Sequence, residues 1–332
     1  MKREVTRMKL ARGMPALTLV ISVAGLWLGS RIFAASTSDS RRLTLHAPTG
    51  SPQWREDWPQ AVTPTDPVKR AVFHRINEDR LRAGLAPVAW DEAVSRVADE
   101  FCARQIAEHT RGHFLMDGIP PYARTGFAGV FGKGAENSVS WLTSASSFSE
   151  PAVALALSGH RDMMSEMPPA DGHRRTILNS EMTHVGVGYA IDHGRFQMAQ
   201  EFLVRGLETF GFRVSNEAHP SALFEGQPRS RRVLRFVTIA WEASPRFITR
   251  EEANSKITYA YPKPFLAYVP EGEVRLHVSD TQTQDRLQVR RDGSFSFAFS
   301  PPQPGLYTFV LYTSTKEAAE PRPSASATLW FD

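Results

Sequence analysis

The 332-residue sequence predicts an α+β domain followed by an all-β domain, and three observations carry that expectation. Between residues 66 and 167, three stretches repeat apolar residues at helical spacing behind good helix starts. Two strand-like runs follow, Val185 to Ile191 and Phe196 to Val204, joined by the plausible hairpin turn Asp192-His193-Gly194-Arg195. Beyond residue 231, short apolar and aromatic runs alternate with Gly, Pro and Asp, a spacing that favours a β-sandwich. At ~100–200 residues per domain, the length suits about two.

The chain opens with Lys2, Arg3, Arg7, Lys9 and Arg12, runs uncharged from Met14 to Leu28, and reaches small residues at Ala34, Ala35 and Ser36. That order is the pattern of an export signal. Phe33 is a poor fit three residues before a cut after Ala35, so residues 1–35 are expected to be a signal peptide or an uncleaved membrane anchor. Either way the protein is expected to be extracytoplasmic, touching a membrane only through this segment. Residues 1–35 hold six basic side chains and one acidic one, so their removal takes the formal charge from +4 to −1. The basic balance belongs to the export segment, and a nucleic-acid partner is not expected.

Residues 36–65, rich in Ser, Thr, Pro and Arg without a period, read as a linker. In the α+β domain, expected over 66–206, Asp66 caps a helix with Pro67 in its first turn, and Val68, Val72, Phe73 and Ile76 line its apolar face up to Gly84. Asp91 caps a second helix, with Val94, Val97, Ala98 and Phe101 as its stripe, reaching about His109. A loop of Gly, Pro and aromatic residues follows, its glycines Gly126 to Gly134 read as a mobile rim. Ser149-Glu150-Pro151 opens a third helix that stops before Pro168, and a short helix carries His173. Gly186 and Gly188 suit a strand packed closely against a helix.

Residues 207–231 lose the pattern and read as a second linker, with the all-β domain over 232–332. Its expected strands are Val233–Trp241, Ile257–Tyr261, Phe265–Val269, Val274–Val278, Leu287–Val289, Phe295–Phe299, Tyr307–Tyr312 and Thr328–Phe331. Cys102 is the single cysteine, so no internal disulfide forms, and it reads as a small buried thiol.

The chemistry-bearing residues sit in separate segments: His113 in Gly112-His113-Phe114, Glu136 in Gly134-Ala135-Glu136-Asn137-Ser138, and His173 in Asp171-Gly172-His173-Arg174-Arg175, with an acid upstream of it. Together with Ile76-Asn77-Glu78-Asp79-Arg80 and Gly84-Leu85-Ala86-Pro87-Val88-Ala89-Trp90-Asp91, they resemble the CAP superfamily over roughly residues 68 to 205. These are the SCP-like extracellular domains of cysteine-rich secretory, venom-antigen and pathogenesis-related proteins. The resemblance implies a three-layer α-β-α sandwich in which His113, Glu136, Glu166 and His173 converge on one cleft. The C-terminal part resembles an immunoglobulin-like sandwich, carried by Pro304 to Val310. Missing disulfides suggest a bacterial type.

Imidazoles and carboxylates suit zinc and other divalent ions, so all four side chains are candidate metal ligands. The two carboxylates could instead accept ring N–H groups and fix each tautomer. A purely structural network is the other reading. Asp162 competes with Glu166 for the fourth place, one turn earlier; His160 reads as a helix-surface histidine and His109 as a solvated loop one. The leading expectation is a divalent metal or small-ligand site, with the β-domain docking the protein at a cell surface. A metal-assisted peptide or ester hydrolase with Glu136 as its acid-base group is the enzyme alternative. A lipid or sterol carrier using Phe127, Val130 and Phe131 is the third. No Gly-x-Ser-x-Gly elbow supports a serine hydrolase.

Overall fold

The computed structural model describes residues 63–215, 220–273, 281–315 and 320–332, with the backbone of two short strands, β1 (Leu45–His46) and β2 (Gln53–Arg55). The expected signal or anchor segment 1–35, most of the 36–65 linker and the expected strand Val274–Val278 lie outside the described residues. Among the described residues, no helix is long and apolar enough to cross a membrane.

The first half is built as its caps foretell. Helix α1 (Pro67–Arg82) starts where the Asp66 carboxylate accepts the amides of Val68 and Lys69 at 2.8 and 3.0 Å. After β3 (Ala89–Trp90), helix α2 (Glu92–Glu108) starts on Asp91, which accepts the Val94 amide, and stops where His109 turns left-handed. Next come α3 (Pro121–Phe127), β4 (Lys133–Leu142), α4 (Ala152–Ser165), α5 (Gly172–Ile177), β5 (His184–Asp192) and β6 (Arg195–Val204). The stretch expected to be one loop therefore contains a helix and a ten-residue strand.

The four strands order as β3-β5-β6-β4, which leaves β4 at an edge. Alternate side chains of β6 separate the layers. Phe196, Met198, Phe202 and Val204 share a core with Val72 and Ile76 of α1 and Leu155 and Met163 of α4. On the other face Ala199 packs with Ala98, Phe101 and Cys102 of α2, and Leu203 with Val94 and Val97. This is the α-β-α sandwich. Buried Arg80 ties its layers by donating to the carbonyls of Ala86, Ile177, Asn179 and Met182.

The second half is all-β. Strands β7 (Leu207–Ser215), β8 (Ser221–Pro228) and β9 (Arg232–Glu242) precede a short helix, α6 (Arg250–Ser255). Strands β10 (Pro264–Pro270), β11 (Gln282–Val289), β12 (Phe295–Phe299), β13 (Gly305–Thr315) and β14 (Arg322–Phe331) complete it. Strands β7 to β14 join in the order β14-β13-β9-β10-β11-β12-β8-β7, with β1 beside β14 and β2 beside β7. Phe224 on β8 lies 4.5 Å, centroid to centroid, from Phe309 on β13, so strands distant in the sheet face each other and the sheet closes into two packed layers. That arrangement is compatible with an immunoglobulin-like sandwich.

Two expectations for this half need correction. Residues 207–231, expected to be a linker, form β7 and β8, whose Phe210, Phe212 and Phe224 lie in the sandwich core. An irregular register between Leu207 and Thr209 interrupts the alternation there. Ile257–Tyr261, expected to be a strand, joins no sheet; its tyrosines reach the first half instead. The two halves also share a core, because Phe131 from the connection before β4 packs among Phe210 and Phe212. Phe131 and Val130 are both buried.

Candidate functional site

The edge strand β4 positions the site. Its pleat sends Glu136 toward the α2 face and Asn137 toward the α4–α5 face. The turn after α2 brings His113 over Glu136, and His113 Nδ1–H donates to Glu136 Oε1 at 2.7 Å. On the other side, His173 sits near the start of α5, where its Nδ1–H donates to Glu166 Oε1 at 2.5 Å and its backbone N–H to Oε2 at 2.9 Å. Asn137 donates to the His173 carbonyl at 3.1 Å, which ties α5 to β4. The two imidazole centroids stand 6.4 Å apart.

The four residues expected to converge are therefore brought together. Glu166 is the acid that holds His173, while Asp162 is exposed on α4. The imidazoles differ in access: the His113 side chain is 9% exposed and that of His173 30%. His160 corrects the surface assignment. It is fully buried, its Nε2 against Asp79 at 2.9 Å and its Nδ1 against Gln200 at 3.1 Å, and burial lowers its pKa despite the Asp79 contact.

Two partners of Glu136 were missed from sequence. Arg124 on α3 forms an ion pair with Glu136 Oε2 and lies 3.9 Å from the centroid of the Phe101 ring. Glu201, opposite Glu136 in the β4–β6 register, is also buried. Burial alone pushes the Glu136 carboxyl up, but the Arg124 charge and hydrogen bonds from His113 and Glu201 outweigh it and hold it below the usual carboxylate range. Burial, then the Glu136 charge, push Glu201 well up, so Glu201 keeps a proton and donates it to its neighbour. One negative charge is thus shared between two carboxyls and neutralised by Arg124.

The free edge of β4 is closed by the β half. The Tyr259 hydroxyl accepts the Glu136 amide at 2.5 Å and the Tyr261 hydroxyl accepts the Gly134 amide at 2.9 Å. Spacing i, i+2 on an extended segment matches the same spacing on the strand edge. The Tyr259 ring meets His113 edge-on at 4.9 Å, and Tyr261 stacks on Tyr122 at 4.8 Å. The glycines expected to form a mobile rim lie at this contact: a Cβ on Gly126 would stand 3.3 Å from the Thr328 amide, and the Gly132 carbonyl accepts from Ser326.

Each imidazole has its Nδ1–H held by a carboxylate, so the neutral ring carries its lone pair on Nε2. Among the described residues, no group of three or more His, Cys, Asp or Glu side chains is arranged to hold a metal ion. The donors these residues offer a cation are therefore the two imidazole nitrogens, with the carboxylates behind them.

An α-β-α sandwich with two carboxylate-held histidines at one sheet edge is the layout of a CAP domain. Residues 73–204 match the family described as "CAP: Cysteine-rich secretory protein family", so this part of the chain is a CAP domain. No curated protein matches the chain. Among solved structures, an extracellular protein containing a SCP domain from Bacillus anthracis is 20% identical, with 43% of this chain and 45% of that one covered and a TM-score of 0.33. The chain thus spans under half the length of that protein. An outer surface protein from Borrelia burgdorferi is 16% identical, covering 40% of this chain and 88% of that one at a TM-score of 0.32. NaASP2 with Zn2+ is 12% identical, covering 42% and 83% at a TM-score of 0.31.

Proposed function

We propose that this is an exported, extracytoplasmic protein whose CAP cleft binds a divalent cation or a small ligand through Nε2 of His113 and His173. The observation that supports the reading is the pairing of each imidazole with its own carboxylate, 6.4 Å apart across one edge. Both rings are thereby presented in the ligating tautomer. Glu136 and Glu166 orient the rings rather than bind the ion. Water would complete the shell of a cation held by two imidazoles, and zinc is the divalent ion that nitrogen donors suit best among the common ones. Docking at a cell surface is the role left to the far face of the β half.

Calorimetry on the mature protein with zinc and with magnesium tests the reading. Zinc is expected to bind and magnesium not, because magnesium prefers oxygen ligands. His113→Ala and His173→Ala should each abolish the zinc heat, and Glu166→Gln should weaken zinc by about 10–100-fold through loss of ring orientation. Equal heats in all variants would remove the metal claim.

A further inference from the structure

We propose that Tyr259, delivered by the β half, is a wall of the CAP cleft that shields His113 and confines access to the His173 side. The proposal rests on the reading of the cleft as a ligand site. It starts from an asymmetry between two otherwise equivalent His–Glu pairs, since the His113 side chain is 9% exposed and the His173 side chain 30%.

The cover over His113 includes the Tyr259 ring, edge-on at 4.9 Å. The ring is anchored at its far end, where the hydroxyl accepts the Glu136 amide of β4. Tyr261, two residues on, is held by both the amide and the carbonyl of Gly134, so the segment is pinned at two successive outward positions of the strand edge. Tyr259 also lines a pocket of about 260 Å³ between the two halves, with Phe114, Tyr122, Glu242 and Lys256. The same residue thus meets both His113 and this pocket.

Diethyl pyrocarbonate, which acylates accessible neutral imidazoles, reads the wall directly by mass spectrometry of the full-length protein. In the unchanged protein His173 is expected to react at least about tenfold faster than His113, which the Tyr259 ring shields. Tyr259→Ala and Tyr259→Leu should bring the His113 rate up to that of His173, while Tyr259→Phe, which keeps the ring, should preserve the protection. Buried His160 reports folding: a variant that modifies it has unfolded, and the other one is read. Equal rates at His113 and His173 in the unchanged protein would overturn the proposal, as would continued protection of His113 in folded Tyr259→Ala or Tyr259→Leu. Zinc calorimetry on the same samples separates the two ideas, since loss of zinc binding with the protection pattern intact would refute the cation and leave the wall standing.

Discussion

Single residues carry most of the chemistry, and each is explained by the groups around it. His113 and His173 were identifiable from their motifs, yet the partners of Glu136 were not. The signal for Glu201 was present: it is the one carboxylate inside the apolar run from Phe196 to Val204. A charge in a buried strand needs a partner or a proton, and here it keeps the proton. His184 offers a pH test. Burial first, then the Arg205 and Arg229 charges, lower its pKa from 6.5 to about 4. A folded-state pKa below the unfolded one means stability is fully present above 6.5 and is lost as pH falls from there toward about 4. Denaturant titrations should therefore show the protein losing about 2 kcal/mol more than His184→Gln between pH 7 and pH 5. Identical losses in both proteins would contradict this account of His184.

At the scale of elements, legibility followed the caps and the period. Helices α1 and α2 began on the expected Asp residues, and the β5–β6 turn fell at His193 and Gly194, both with positive φ. Strand β4 hid because neither of its faces is uniformly apolar: Glu136, Ser138 and Ser140 lie on one, and Asn137 interrupts Ala135, Val139 and Trp141 on the other. Ile257–Tyr261 misled in the opposite way. Its alternation is that of an extended segment, but its tyrosine hydroxyls, not a backbone ladder, meet the neighbouring strand. The close packing of β5 on α2 was foreseen at Gly186 and Gly188. A Cβ on Gly188 would lie 2.2 Å from backbone atoms of Ala98 and Asp99, which cannot yield without moving α2. Gly188→Ala is expected to cost about 3 kcal/mol by thermal or chemical unfolding, whereas Gly172→Ala, with open space around its Cβ, should stay within about 1 kcal/mol. Equal effects of the two would refute the packing argument.

On the scale of the molecule, the chain divides by architecture but not by packing. The CAP part and the β part meet through Phe131 in the sandwich core, Ser326 on the Gly132 carbonyl, and Tyr122 hydrogen-bonded to Glu242. Burial, then the Glu242 contact, raise the Tyr122 pKa, so that phenol remains a donor at neutral pH. None of these contacts could be read from sequence, because each joins residues far apart in the chain. They explain why the cleft belongs to both halves: β4 supplies its floor, and the β half closes its edge. The central claim is that this assembly holds two imidazoles with Nδ1–H tied to carboxylates and the lone pair on Nε2. Side-chain nitrogen NMR of the histidines, before and after zinc, tests it most directly. The account predicts the Nδ1–H tautomer for both His113 and His173, with zinc shifting their Nε2 signals and leaving buried His160 unchanged. An Nε2–H tautomer at either cleft histidine, or Nε2 signals that ignore zinc, would contradict it.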